Sequence, residues 1–153
     1  MPVYEMELGE HPWTATLFYW IGVSYMTLAK DNQGDYVDKA QTKLEKALEL
    51  QTKLLGDHLD TARSHVCLGD ALMIQGKFRL ALGELVKGLK IREKVLGPDH
   101  ELTMAAREKK EELQQLCEDL ESRSRYLNTK KGVENTMQSG DSGVFLTNFT
   151  EFK

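Results

Sequence analysis

Cysteine and proline are scarce in this 153-residue chain, with two of the first and three of the second. No C-x-x-C pair and no Cys/His grouping surrounds Cys67 or Cys117, which excludes a disulfide framework and a zinc module. Two reduced thiols fit a cytoplasmic protein. With so few prolines, 41% hydrophobic and 29% charged residues describe a soluble helical chain better than a disordered or β-rich one. Long apolar runs are missing too: "ATLFYWIGVSYM" is the longest mostly apolar stretch, too short to span a bilayer, and no basic stretch followed by an apolar run opens the sequence. Neither secretion nor membrane insertion is expected, so the sequon at Asn148 reads as chance.

A basic face is also absent. The net charge is −4, and residues 58–100 hold 7 bases against 5 acids, interleaved at helical spacing. That pattern is a solvated, salt-bridged surface and excludes the clustered cations that nucleic-acid binding needs. Glycines are spread through the chain instead of clustering before a helix, so no phosphate loop is expected. His58 and His65 lack a third metal ligand. Cys67 and His65 are two apart, a spacing that does not bring side chains together on a helix. Glu111-Glu112 and Glu118-Asp119 read as solvated acids. No catalytic, cofactor-binding or metal-ligating residue is expected.

What the chain does have is repetition. His11, His58 and His100 recur at spacings of 47 and 42 residues. After the first two come a helix start at Thr14 and Thr61, a glycine at Gly22 and Gly69, and a turn glycine with an aromatic residue (Gly34/Tyr36, Gly76/Phe78). Each unit closes in Leu-Gly, at Leu55-Gly56 and Leu96-Gly97. The extra residues of the first unit fall mainly in "AKDNQ", before its turn.

Apolar residues at three- and four-residue steps predict amphipathic helices. One stripe runs through Leu82, Leu85, Val86 and Leu89, another through Ala40, Leu44, Ala47 and Leu48. Gly56 and Gly97 are placed as C-cap glycines. Asp57 and Asp99 are placed to start the helices that follow. Gly22 and Gly69 fall inside helices, where each costs about 1 kcal/mol against alanine, so close approach of the paired helix is the expected reason for them. Helix, turn and antiparallel helix then stack into a solenoid.

The stretch "GKFRLALGELVKGLKIREKVLGPDH", with Gly76, Phe78, Ala81 and Leu89 and a period near 42, resembles the tetratricopeptide repeats of the kinesin light chain type. The resemblance covers roughly residues 8–106, more loosely in the first unit through Gly34, Tyr36, Ala40 and Ala47. It implies an all-α, right-handed solenoid whose concave face, lined by the first helix of each repeat, binds a peptide or partner segment without catalysis. In that family an Asn-Asn pair on the first helix clamps the bound peptide. This chain has Tyr19-Trp20 and Val66-Cys67 there, so aromatic and apolar groups replace the amides.

The expected organisation is a lead-in at 1–10, repeats at 11–57 and 58–99, a capping helix at 100–128 and a disordered tail at 129–153 ending in "VFLTNFTEF". The capping helix follows from Leu113, Leu116, Leu120 and Leu127, which continue one stripe with no turn glycine. Because the first "LG-x-H" has no helix's length before it, the chain reads as lacking upstream repeats, either as a short product or as a fragment of a longer array. Its aromatic first helix (Trp13, Phe18, Tyr19, Trp20, Tyr25) would leave an apolar N-terminal edge.

Two functions are therefore expected. In the first, Tyr19, Trp20, Ser24, Val66, Cys67 and Asp70 face a groove that takes a partner segment with apolar anchors; Tyr19 and Cys67 serve equally well as inter-repeat packing. In the second, the incomplete array assembles with itself or with other repeats through that edge.

Overall fold

The computed structural model describes residues 9–29 and 33–138, and among them it holds five helices and no strand. They are α1 (Pro12–Leu28), α2 (Gln33–Leu55), α3 (Leu59–Ile74), α4 (Phe78–Leu96) and α5 (Glu101–Gln138). The chain divides into one compact unit ending at Gln114 and a second beginning at Gln115. In the first unit α1 packs on α2, α3 on α4, and α2 on α3. This is an all-α array of helical hairpins with a long C-terminal helix. Most of residues 1–10, residues 30–32 within the "AKDNQ" insertion and the tail from 139 lie outside the described residues.

Small residues set the helix spacing. Ala15, Phe18, Ala40, Leu44 and Ala47 are buried in the first hairpin, and Ala62, Leu72, Ala81, Leu85 and Leu89 in the second. Ala29, Val37 and Ala71 join the two hairpins, with Met26 and Tyr36 against them. A Cβ on Gly22 would stand 2.8 Å from Leu44 Cγ, whereas one on Gly69 would make only an ordinary contact, 3.4 Å from the Ala81 carbonyl. Close approach thus explains Gly22 and leaves Gly69 merely accommodated. Gly56 and Gly97 follow α2 and α4 with φ of +62° and +89°, the conformation expected of closing glycines. Gly34, expected in a turn, lies in the first turn of α2.

The helix starts differ from expectation. His11 Nδ1 accepts from the Trp13 N–H (3.2 Å), His58 Nδ1 from that of Asp60 (3.1 Å) and His100 Nδ1 from that of Leu102 (3.1 Å). The recurring histidines are the caps, each taking a backbone donor that the first helical turn leaves free. Asp57 instead pairs with Lys94 Nζ at 2.8 Å. At His58 the extended backbone (φ −126°, ψ 155°) aims the ring at the second N–H of α3. His58→Ala is expected to cost about 1 kcal/mol and His58→Asn to restore most of it, because asparagine also presents an acceptor to that N–H. Urea denaturation of the three proteins checks this, and an alanine variant as stable as the parent would deny the cap.

The last helix also runs past its expected end. α5 continues to Gln138, ten residues beyond 128. Extending a formed helix costs far less than starting one, and the Thr129 and Thr136 hydroxyls donate to carbonyls four residues back, those of Arg125 and Gly132. In the first unit the opening turns of α5 repeat the pattern of α3: Thr103, Ala106 and Leu113 are buried, and the Thr103 hydroxyl donates to the Arg92 carbonyl. In the second unit Leu116, Leu120, Tyr126 and Leu127 are exposed.

Candidate partner-binding surface

α1 contains no charged residue in seventeen positions. Trp13 and Trp20 are nonetheless exposed on it, at 74% and 56%. Burying one indole removes a large apolar area from water, so covering either ring would be strongly favourable.

Of the six residues expected to face a partner, the structure brings Tyr19, Trp20 and Cys67 together. The Tyr19 and Trp20 rings meet edge to face at 5.2 Å. Cys67 Sγ donates to the Tyr19 hydroxyl at 3.6 Å, so this pair joins α1 to α3. Burial pushes the Tyr19 hydroxyl up to about 12, and burial likewise raises the Cys67 thiol. Both stay protonated near neutrality, and Cys67 is held as a thiol rather than a thiolate nucleophile. Its sequence neighbour His65 is engaged elsewhere, donating to Glu84 at 2.7 Å, and that bond holds the Glu84 carboxyl below its usual value.

The other three are not part of that cluster. Val66 Cγ2 lies 3.1 Å from where a side chain on Gly88 would begin, so it packs against α4. Asp70 is ion-paired with Lys109 of α5. Ser24 is exposed, with its hydroxyl on the Trp20 carbonyl at 2.9 Å.

Beside Trp20 opens a cleft of about 50 Å³, lined by Thr16, Tyr19, Trp20, Gln51, Asp60 and Arg63. Gln51 is 2% exposed, and its side-chain oxygen has no hydrogen-bond partner. An unpaired buried acceptor costs about 1–3 kcal/mol, which a donor arriving in the cleft would recover. Asp60 and Arg63 stand 3.7 Å apart at its rim.

Sequence reasoning missed these four residues other than the aromatics. Gln51 was detectable as a polar residue on the stripe of Leu44, Ala47 and Leu48. Asp60 and Arg63 share the helical face of Cys67, seven and four residues earlier. Among the described residues no group of three or more His, Cys, Asp or Glu is placed to hold a metal ion, and no helix is long and apolar enough to cross a membrane.

No curated protein matches the chain significantly. Residues 61–101 match the family of the tetratricopeptide repeat. The matched stretch is nearly all of α3, the whole of α4 and the first residue of α5. With a second helix–turn–helix in α1 and α2, it supports a protein of the tetratricopeptide-repeat type.

Proposed function

We propose that this chain is a non-enzymatic interaction module, similar to the repeats of the kinesin light chain type, that seats a partner segment in the cleft between α1 and α3. Tetratricopeptide repeats generally mediate protein–protein contacts, and the observation that narrows this to a site is the exposed Trp20 lining the same cleft as the unpartnered side-chain oxygen of Gln51. The cleft's 50 Å³ suits the head of one side chain, far below the ~300–1,000 Å³ of small-molecule sites. The partner supplies an apolar group for Trp20 and a hydrogen-bond donor for Gln51, with the rest of the segment running past Asp60 and Arg63.

Peptides selected from a display library on the intact chain test this. Trp20→Ala is expected to weaken them at least about 30-fold, the loss of one aromatic hot spot, with helix content unchanged. Leu28→Lys, at the far end of α1, should leave affinity as it was. Selected peptides indifferent to Trp20 would remove the cleft as their site.

A further inference from the structure

One face of α1 is the counterpart of a face that the fold covers elsewhere. On α3 the stripe Thr61, Ser64, Leu68, Ala71 is buried at 2%, 0%, 5% and 0% exposure. It is α2 that covers it. Ala71 clusters with Val37, Gln75 donates to Asp38 and Gln41 at 2.8 Å each, and Thr61 donates to the carbonyl of Gly56, just past the end of α2.

Forty-seven residues earlier, Thr61, Ser64, Leu68, Ala71 and the half-buried Gln75 that follows them correspond to Thr14, Leu17, Ile21, Ser24 and Leu28 of α1. The register is secured by Gly22 and Gly69, which face the second helix of their own hairpins at equivalent positions. Thr14 is buried, Leu17 and Ile21 are only half-buried, Ser24 is exposed and Leu28 is 52% exposed. Leu17 and Leu28 are more apolar than Ser64 and Gln75, Ser24 is more polar than Ala71, and the whole helix is uncharged. Entry to the two helices is alike as well, because His11 N–H donates to the Gly9 carbonyl at 3.2 Å as His58 N–H does to that of Gly56 at 3.0 Å.

We propose that the Leu17, Ile21, Leu28 face of α1 docks an amphipathic helix of a partner protein, laid on α1 as α2 lies on α3. The bulkier side chains here require small apolar residues opposite Leu17 and Ile21, and the lack of charge on α1 requires a contacting stripe free of unpaired charge. A second copy of this chain would have to give up its own packing to supply such a helix from its hairpins. α2 lies between α1 and α3, and α4 packs on α3 and is bonded through Arg92 to Leu102 and Thr103 of α5. This face is distinct from the cleft beside Gln51, and it stands or falls separately.

The two tryptophans of the chain, Trp13 and Trp20, both lie on α1, so intrinsic emission reports on this helix alone. The probe is a peptide of residues 33–57 carrying Asp38→Ala and Gln41→Ala, which contains no tryptophan and lacks the two side chains that bond Gln75 on α3 and would meet Leu28 here. Added to the intact chain, it is expected to shift emission to shorter wavelength saturably. Leu17→Lys with Leu28→Lys should weaken that binding at least about tenfold, while Arg63→Ala leaves it unchanged.

An isolated helix of this length is marginal in water, so the same 33–57 sequence is also placed directly before His11, replacing residues 1–10. The extended protein is expected to be monomeric, blue-shifted and higher in urea midpoint. If neither the peptide nor the extension moves the emission, the proposal is overturned. It is also overturned if light scattering shows the unmodified chain dimerising through Leu17 and Leu28, which would assign the face to a second copy.

Discussion

Leu44→Ala is expected to lower the unfolding free energy by about 2–5 kcal/mol, the range for a large apolar side chain deleted from a closed core. Leu44 is 0% exposed, and its Cγ and Cδ2 lie 2.8 and 2.9 Å from the point where a side chain on Gly22 would begin. The leucine of α2 thus fills space that the glycine of α1 leaves open, and truncating it empties the centre of the first hairpin. Domains of this kind hold about 5–15 kcal/mol in all, so the loss should be plain in a urea transition followed by circular dichroism and by the α1 tryptophans.

A second substitution shows whether complementarity of size is the cause. Gly22→Ala alone drives its new methyl into Leu44 and should destabilise. In the Leu44→Ala background the same change meets no obstacle and gains about 1 kcal/mol of helix propensity. The sign of Gly22→Ala should therefore reverse. An effect of Gly22→Ala that is the same in both backgrounds would mean that the two residues do not share the space.

That pair also shows what could be read from the sequence. The hairpins were legible because apolar residues step by three and four, and Leu-Gly closes both α2 and α4. A glycine inside an amphipathic stretch pays for itself only through a neighbour, so the close contact at Gly22 was legible too. Its partner atom was not, because Leu44 lies 22 residues away and only the packed hairpin selects it. The recurring histidines were visible as a period, yet capping depends on backbone angles. A histidine ring takes the role expected of Asp57 and Asp99 because the residue at the cap position is extended and aims Nδ1 at the N–H two residues on. The end of α5 was misjudged because composition changes at residue 129 while the helix persists to Gln138.

The candidate site was legible in part for a related reason. Tyr19 and Trp20 stand out as adjacent aromatics, and the repeat register places Cys67 near them. Asp70 and Val66 share that register but are engaged by Lys109 and by close packing at Gly88. Those contacts span 39 and 22 residues, and periodicity within one helix carries no information about them. Gln51 is the opposite case. Its polarity on a core stripe was in plain view, but the cleft that gives it meaning is formed only when α1, α2 and α3 meet.

Gly88→Leu is expected to cost about 2–3 kcal/mol, a typical penalty for overpacking a closed contact. A Cβ there would stand 3.1 Å from Val66 Cγ2, 3.2 Å from the Ala62 carbonyl and 3.3 Å from His65 Cβ. The carbonyl belongs to the backbone of α3 and cannot rotate away, so α4 itself must move. Leucine favours helix over glycine by nearly 1 kcal/mol, and the net loss therefore understates the packing term. Gly83→Leu on the same helix is the control: nothing lies within 4 Å of a Cβ there, so it should stabilise slightly.

Moving α4 also draws Glu84 away from His65, and that has a pH signature. The Glu84 carboxyl sits below the ordinary value of 4.5 chiefly because it accepts from His65. A depressed folded value contributes stability that is complete above 4.5 and is lost as pH falls through the lower folded value. The parent has this contribution at neutral pH and the variant has lost it, while in acid neither keeps it. The stability gap between parent and Gly88→Leu should accordingly narrow as the pH is taken below that range. A gap that stays constant with pH would show that α3 and α4 separate without disturbing the His65–Glu84 contact, and a variant as stable as the parent would show that they need not separate at all.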